Sequence, residues 1–437
     1  MNIRIATAKI NSIFLAIVLV AGTFAAISPS SFIIGVNAQS EYEYSYGYDD
    51  NKSDDNYNSA DYPSQRTYEY PQQSSYEYES NYENDDNYYS YPPTQEPISA
   101  DIVVPIDFDT IQEAIDAANE GDIIKVLPGT YTEQLNITKS LTILGSGAKS
   151  TIIEAPQLEE LEPSIVGPPY IINIDNQAQV TVKGFTINGI EGIDCDGLFG
   201  ITVLGDATLK LDSVIIKECT SVGVLVGSIR TPSGPQPGHA DISNTLITDY
   251  RSSGVVAPGI GSTLTISHSK IIGSAPDAFG IIGISFHTGA TAKIVDNIIS
   301  ENICDLPECG SNPFTQVQAF GIAASNVGNG SIISNNHVSS NDVGIGLFGT
   351  SGCCIVDYNK LKDNRFFGIV IADADHTVSN TKIFGGQVGV AAIAITANTT
   401  ATLDSVKIVD AEIPVQALST GNLTAAVNVL SPSFFAP

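Results

Sequence analysis

Pairs of aliphatic residues five positions apart recur along the chain and set its hydrophobic pattern. Successive pairs begin 22 to 39 residues apart, and the residues around them alternate as in "LTI" at 264–266, which is typical of strands with one buried face. A period of this length predicts a solenoid, because each unit can bury its inward face only against its neighbours. The pairs are Val182/Ile187, Leu211/Ile216, Ile242/Ile247, Ile266/Ile271, Ile294/Ile299, Ile333/Val338, Val356/Leu361, Val378/Ile383 and Leu403/Ile408.

A glycine followed by an aliphatic residue comes after eight of these nine pairs, and the ninth has Pro414-Val415 instead. This dipeptide predicts a third fixed position in each coil of the solenoid. The eight dipeptides are Gly200-Ile201, Gly223-Val224, Gly254-Val255, Gly280-Ile281, Gly321-Ile322, Gly344-Ile345, Gly368-Ile369 and Gly389-Val390.

Asparagine occupies both predicted turns in three successive units. Asparagine tolerates left-handed backbone and bonds locally to the main chain, and stacked amides can bond along a column. The neighbouring units carry serine, threonine or other residues at these places, so the ladders are expected to be partial. The ladder positions are Asn297, Asn336 and Asn359 at one turn and Asn302, Asn341 and Asn364 at the other.

The spacing I-x-x-N-x-I-x-x-N…G-I resembles the right-handed parallel β-helix repeat of the pectin lyase-like superfamily, over about 101–420. Residues 107–147 resemble the segment with which that fold begins. In it, Ile111, Ala114, Ile115 and Ala118 form one helical stripe, Asp109 with Gln112 predicts a capping box, and Gly121 predicts the helix end. The expected fold is all-β, a parallel β-helix with an N-terminal helical cap.

Two regions precede this domain, which is expected to span 99–430. Residues 1–38 have Arg4 and Lys9 ahead of an apolar run at 12–27, which is typical of a secretory signal cleaved after Ala25 or Ala38; a retained membrane anchor is the alternative. Residues 39–98 hold 14 of the 18 tyrosines but almost no aliphatic residue, so we expect a disordered spacer.

The net charge of the chain is −29, and residues 39–98 contribute −12 of it through two basic and 14 acidic residues. A field of this sign disfavours nucleic acid as a partner. Five N-x-S/T sequons are potential glycosylation sites, Asn51 in the spacer and four in the β-helix domain. The four are Asn136, Asn329, Asn398 and Asn422.

The six cysteines form an even set in a chain expected to be exported, which predicts disulfides. Cys195 and Cys219 fall on adjacent coils, and Cys304 and Cys309 can close the longest insertion. Cys354 lies two residues before an inward aliphatic and is expected in the core, with Cys353 pointing outward; a bond within this adjacent pair is the alternative. No CxxC occurs, and we expect neither a metal nor a cofactor.

Enzymes of the resembled superfamily act on acidic sugars through carboxylates, an arginine or lysine base, or bound calcium, but their motifs are missing from this sequence. Candidate catalytic carboxylates remain in two insertions, Asp194 and Asp196 in one and Asp305 and Glu308 in the other. If the insertions share one side of the solenoid, they wall a groove in which carboxylates serve as acid and base or bind calcium. The alternative is that they are solvated loop residues.

The sequence therefore favours a secreted or cell-surface protein that binds an extracellular glycan without catalysis. One alternative is a polysaccharide lyase or hydrolase acting on an acidic glycan, and the other is a structural protein of the cell envelope.

Overall fold

The structure is a computed structural model. Its described residues are 6–10 and 100–436, except 191–196, 219, 230, 232–233, 274–280, 308, 311, 313–315, 317 and 431–433. The expected spacer and nearly all of the expected signal segment lie outside them.

Within the described residues, parallel strands form three long sheets, and each coil of chain contributes one strand to each sheet in turn. The first sheet has 13 described strands. They are Ile102–Val104, Ile123–Val126, Leu141–Gly145, Gln179–Lys183, Ala207–Asp212, Gly238–Ser243, Thr263–Ser267, Thr291–Val295, Ser331–Ser334, Cys354–Asp357, Asp375–Ser379, Thr399–Asp404 and Ala425–Leu430.

The second sheet follows the first in every coil, and its 12 described strands are mostly three residues long. They are Gly129–Thr132, Thr151–Glu154, Thr186–Asn188, Ile215–Lys217, Leu246–Thr248, Lys270–Ile272, Ile298–Ser300, His337–Ser339, Lys360–Lys362, Lys382–Phe384, Lys407–Val409 and Phe434–Ala436.

The third sheet completes each coil, and its 12 described strands include one from the N-terminus of the chain. They are Ala6–Ile10, Leu135–Ile137, Tyr170–Ile174, Phe199–Val203, Thr220–Val226, Tyr250–Pro258, Ile282–His287, Phe320–Ser325, Val343–Phe348, Phe367–Ala372, Val388–Ala394 and Ile413–Thr420. Together the three sheets form a parallel β-helix, which confirms the predicted fold class.

The aliphatic pairs of the repeat line the interior in register. Leu211 pairs with Ile242, which pairs with Ile266, along the first sheet, while Ile216 and Ile247 pair along the second. These side chains are fully buried, so each coil depends on its neighbours for its core.

The third fixed position is confirmed for seven of the eight dipeptides and wrong for Gly280-Ile281. The residue in register with Val255 and Ile322 is Ile284, which follows Gly283. Gly280-Ile281 and Gly283-Ile284 both fit the pattern, so the sequence alone does not choose between them. Because the structure uses the second dipeptide, the connection before this strand is longer than predicted.

The helix α1, Ile111–Ala117, buries Ile111, Ala114 and Ile115 against the first coil. The expected cap is wrong by one residue, because the side chain of Thr110, not Asp109, accepts the Glu113 N–H (3.1 Å). The helix also ends at Ala117, before Gly121. Its first two N–H groups donate to the Glu133 carboxylate of the first coil, which fastens α1 over the open end of the solenoid.

The turn asparagines are buried and form the two ladders. Asn297 Nδ2 donates to Asn336 Oδ1 (3.1 Å), and Asn336 Nδ2 donates to Asn359 Oδ1 (3.1 Å). In the second ladder, Asn302 Nδ2 donates to Asn341 Oδ1 (2.8 Å) and Asn341 Nδ2 to Asn364 Oδ1 (3.0 Å).

The first ladder continues into its neighbours, because the backbone N–H of Ser269 donates to Asn297 Oδ1 and that of Asn359 donates to Thr381 Oγ1. The ladder asparagines themselves are not left-handed. A positive φ belongs to the residue before each of them, for example Asp296 (61°) and Glu301 (62°). The left-handed residue makes the turn, and the asparagine after it points inward.

Cys353 and Cys354 are joined by a disulfide, and both are buried. The expectation that Cys353 points outward is therefore wrong. Its carbonyl accepts the Gly330 N–H of the preceding coil (3.1 Å), which holds this residue against the core before the strand begins.

Asp212 joins three coils at the turn between the first and second sheets. It pairs with Lys183 Nζ (2.7 Å) of one neighbouring coil and accepts from Asn244 Nδ2 (2.9 Å) of the other. Burial alone would raise the pKa of Asp212, but the hydrogen bonds from Lys183, Asn244 and Ser213 together with the Lys183 charge lower it to about 2.

We expect the stability contributed by Asp212 to depend on pH. A carboxylate with a lowered folded-state pKa stabilises the fold above its unfolded pKa, and this contribution is lost as pH falls through the folded value. Asp212→Asn should therefore lower the melting temperature at pH 6, and the difference from wild type should be much smaller at pH 2. Asp241→Asn, at an exposed position of the same sheet, is the control. A difference between wild type and Asp212→Asn that is the same at both pH values would contradict this role.

Candidate functional site

Four long connections leave the coil at the same corner, between the second and third sheets. They are 155–169, 189–198, 273–281 and 301–319, whereas other described connections at this corner are short, such as 410–412. The two insertions that the sequence singled out, at 189–198 and 301–319, are therefore on one side of the solenoid. Because they precede strands of the third sheet, they stand along one border of its outer face.

The connection 155–169 is fastened to the coil below it by Gln134. Gln134 Nε2 donates to the carbonyls of Glu162 (2.8 Å) and Tyr170 (3.0 Å), and Gln134 Oε1 accepts the Glu162 N–H (2.9 Å). The Gln134 side-chain amide uses its donor and its acceptor atoms at the same time. These bonds hold the connection 155–169 in a fixed position beside the third sheet.

The connection 301–319 is fastened by a disulfide and by one arginine. Cys304 and Cys309 are bonded to each other. Arg365, two coils further along, places Nη1 2.6 Å from Asp305 Oδ1 and Nη2 2.6 Å from the Cys304 carbonyl. The guanidinium also lies 4.7 Å from the centre of the Phe366 ring. Of the predicted carboxylates, Asp305 is thus held in an ion pair.

Asp342 is the buried partner of the same arginine. Its Oδ1 lies 2.7 Å from Arg365 Nη2, an ion pair without well-directed hydrogen-bond geometry. Its Oδ2 accepts the N–H groups of Cys304 (3.2 Å) and Ala319 (3.1 Å), which are the two ends of the insertion. Burial raises the pKa of Asp342, and the Ala319 N–H and Arg365 only partly offset this. The buried Asp342 carboxylate therefore depends on the Arg365 guanidinium to stabilise its negative charge.

A row of polar side chains crosses the outer face of the third sheet beside the connections 155–169 and 189–198. Asn136, Asn173 and Thr202 are in register on successive strands. Asn173 Nδ2 donates to Asn136 Oδ1 (2.9 Å), and Thr202 Oγ1 donates to Asn173 Oδ1 (2.6 Å). Exposure falls along the row, from exposed Asn136 through half-buried Asn173 to buried Thr202. The row therefore leads from open solvent to a sheltered position.

Further along the same outer face, aromatic rings lie beside the connection 301–319. Phe320 and Phe348 pack edge to face, with ring centres 5.7 Å apart. A Cβ on Gly346 would lie within 2.8 Å of both rings, so only glycine allows them to lie against the sheet here. From Leu135–Ile137 to Val343–Phe348 the face spans seven strand spacings, about 34 Å.

The remaining predicted site residues are not brought together by the described part of the chain. Asp194, Asp196 and Glu308 lie outside the described residues, as do Cys195 and Cys219. The four sequon asparagines of this domain, Asn136, Asn329, Asn398 and Asn422, are all exposed. In the described ranges, no group of three or more histidine, cysteine, aspartate or glutamate side chains is arranged to hold a metal ion.

Sequence reasoning missed Arg365, Asp342 and the row from Asn136 to Thr202. Arg365 lies far from Asp305 in the sequence, and its partners become visible only when the coils are stacked. The polar row consists of ordinary outward positions of strands, and only the register identifies it.

A surface pocket of about 470 Å³ lies elsewhere, at the corner between the first and second sheets. It is lined by small and aliphatic residues, by Asn244 and by Lys149, the one charged residue of its lining. It contains no predicted catalytic residue, so it adds nothing to the face described above. None of the described helices is long and apolar enough to span a membrane.

Comparison with known proteins supports the fold. Residues 170–352 match the family model described as right handed beta helix region. The chain has a right-handed parallel β-helix fold. No curated protein sequence matches this chain.

Similar solved structures include the A-module of the mannuronan C-5 epimerase AlgE6 of Azotobacter vinelandii, at 14% identity and a TM-score of 0.43, covering 75% of this chain and 94% of that one. Another is the catalytic unit of the GH87 α-1,3-glucanase of Streptomyces thermodiastaticus strain HF3-3, also at 14% identity and a TM-score of 0.43, covering 74% of this chain and 64% of that one.

Proposed function

We propose that this chain is an exported β-helix protein that binds an extracellular glycan along the outer face of its third sheet, without catalysis of its own. The observation that carries the proposal is the row Asn136, Asn173 and Thr202, at one polar side chain per coil. Amides and hydroxyls both donate and accept hydrogen bonds, as sugar hydroxyls do. With steps of about 4.8 Å, the row matches a linear chain lying along the solenoid axis.

The second support is the pair Phe320 and Phe348 further along the same face. Partly exposed aromatic rings offer a flat apolar surface, which the apolar face of a sugar ring can cover. The fastened connections at 155–169 and 301–319 border both regions, so the face needs little rearrangement to receive a ligand.

The ion pair between Asp305 and Arg365 favours binding over catalysis. A general acid or base must reach the reacting group within hydrogen-bond distance. Asp305 is engaged with Arg365 at 2.6 Å, in a contact that holds the insertion in place. Export, and a location outside the cell or on its surface, are supported by the N-terminal pattern of Arg4, Lys9 and the apolar run at 12–27.

The test is a titration of the exported protein against a panel of uronic-acid and neutral glycans, with product analysis on the same samples. Asn173→Ala should raise the Kd of the bound glycan about tenfold, since it removes a hydrogen-bonding group from the outer face. Thr202→Val should also raise it, because the buried Thr202 donates the hydrogen bond that orients Asn173. The matched controls are Asn428→Ala and Thr377→Val, exposed positions of the first sheet, which should bind like wild type. Melting temperatures of all four variants report whether the fold is retained.

Three outcomes would count against the proposal. New reducing ends or unsaturated products that disappear in Asp194→Ala or Asp196→Ala would show a lyase or hydrolase. Binding that the two third-sheet variants leave unchanged would place the site elsewhere. An absence of binding across the panel would favour the structural role in the cell envelope.

A further inference from the structure

The strands of the second sheet concentrate positive charge. The ten strands from Thr186–Asn188 to Phe434–Ala436 contain six lysines and no aspartate or glutamate. The whole chain, in contrast, has 48 acidic and 19 basic residues. The second sheet therefore carries a local excess of cations on an acidic protein. The six lysines are Lys217, Lys270, Lys360, Lys362, Lys382 and Lys407.

Four of these lysines lie in one row on the outer face of the second sheet. Lys360, Lys382 and Lys407 are opposite one another on three successive strands. His337 precedes them in the same row, and Lys270 lies two strands before His337. The four lysine side chains are exposed. Because neighbouring strands are about 4.8 Å apart, this lysine row runs along the solenoid axis for about 24 Å.

The charges of the lysine row are not neutralised within the chain. In the described ranges, Lys270, Lys360 and Lys382 form no ion pair. Burial lowers the pKa of His337, and the charges of Lys360 and Lys362 lower it further. The local potential at His337 is therefore positive, although the net charge of the chain is −29. An anion along the row would reduce the repulsion between these cations.

Acidic residues border the lysine row on both sides. Asp357 and Asp404 end strands of the first sheet, and Asp363 and Asp410 directly follow strands of the second sheet. A flat anionic surface such as a membrane, or a wide nucleic-acid duplex, would bring its own charges against these carboxylates. A single extended chain contacts the row alone, so the arrangement favours a linear polyanion.

We propose that the exported protein binds a second polymer along the lysine row, a linear acidic polysaccharide whose sugars carry carboxylate or sulfate groups. From Lys270 to Lys407 the row contains no aromatic ring on which a nucleic-acid base could stack. Lysine contacts an anion as a point charge on a flexible stem, so the row does not require one anion geometry.

This site is separate from the glycan face of the third sheet. In the described strands of the third sheet from Leu135–Ile137 onward, Arg251 is the one arginine or lysine. The third sheet therefore has no comparable row of cations. Since the two faces differ in chemistry, one solenoid can hold two different polymers and link them, and neither site depends on the other.

The test measures binding of the exported protein to polygalacturonate, to dextran sulfate and to uncharged dextran. At least one charged polymer should bind more tightly than dextran, and its binding should weaken as salt rises. The tighter of the two identifies the anionic group as carboxylate or sulfate. The double variant Lys360→Gln with Lys382→Gln should raise the Kd of that polymer about tenfold, because two contacts of the row are lost.

The matched control is the double variant Lys210→Gln with Lys293→Gln, which removes the same charge from exposed positions of the first sheet. It should bind the polymer like wild type, and circular dichroism shows whether both double variants fold. Hydrogen exchange with the charged polymer bound should show protection in peptides that contain Lys360–Lys362 and Lys382–Phe384.

The proposal is overturned if neither charged polymer binds more tightly than dextran, or if the control variant weakens binding equally. Tighter binding to single-stranded DNA or to phosphatidylserine vesicles than to both charged polymers would also overturn it. Protection in the third sheet instead of the second would assign the acidic polymer to the glycan face. That result would leave the proposed function standing while removing the second site.

Discussion

Asn336→Ala should lower the free energy of unfolding by about 3–5 kcal/mol, more than a typical substitution of a polar residue. Asn336 is the middle of a ladder and is 1% exposed. Its Oδ1 accepts the backbone N–H and the Nδ2 of Asn297, and its Nδ2 donates to the Ile294 carbonyl (2.8 Å) and to Asn359 Oδ1. Alanine leaves several of these groups buried without a partner, at about 1–3 kcal/mol each before relaxation.

Urea and thermal unfolding of the exported protein measure this effect. Asn428→Ala, at an exposed position of the first sheet, is the matched control and should change stability by no more than about 0.5 kcal/mol. If Asn336→Ala behaves like the control, the ladder does not stabilise the turn. Hydrogen bonding along the column would then not explain the regular spacing of the asparagines.

Arg365→Ala should destabilise the protein by about 3 kcal/mol and loosen the connection 301–319. The substitution leaves the buried Asp342 carboxylate without its cation and removes the contacts of Asp305 and the Cys304 carbonyl. Hydrogen exchange in peptides that cover 301–319 should rise, while exchange in peptides of the second sheet stays as in wild type.

The double variant Arg365→Ala with Asp342→Asn separates charge from packing. Asparagine keeps an oxygen for the N–H groups of Cys304 and Ala319 but carries no charge. It should therefore recover about half of the stability lost in Arg365→Ala. Lys382→Ala, which removes an exposed basic residue from the second sheet, is the control. A double variant less stable than Arg365→Ala would show that the buried carboxylate does not need the arginine.

The interior of this protein could be predicted from its sequence because every coil must meet the same packing requirement. Ile242, Ile266 and Ile294 meet in one column, and any coil must place an aliphatic residue there. The asparagine ladders follow from the same argument, since buried polar groups must find partners in the next coil. The prediction failed at Gly280-Ile281, where a second dipeptide three residues later fits the same spacing.

The outer surface was less accessible to sequence reasoning. The gaps in the repeat located the insertions, and stacking put them at one corner, but no spacing rule links Asp305 to Arg365 or Asn173 to Thr202. Outward positions are free to vary, so a binding residue there is indistinguishable from an ordinary solvated one. Register across coils supplied the missing information.

Hydrogen exchange of the exported protein with and without its bound glycan tests the central claim most directly. The account predicts protection in peptides that contain Leu135–Ile137, Tyr170–Ile174 and Phe320–Ser325, with the second sheet unchanged and the glycan recovered intact. Protection confined to second-sheet strands such as Lys360–Lys362, or a glycan recovered in cleaved form, would contradict it.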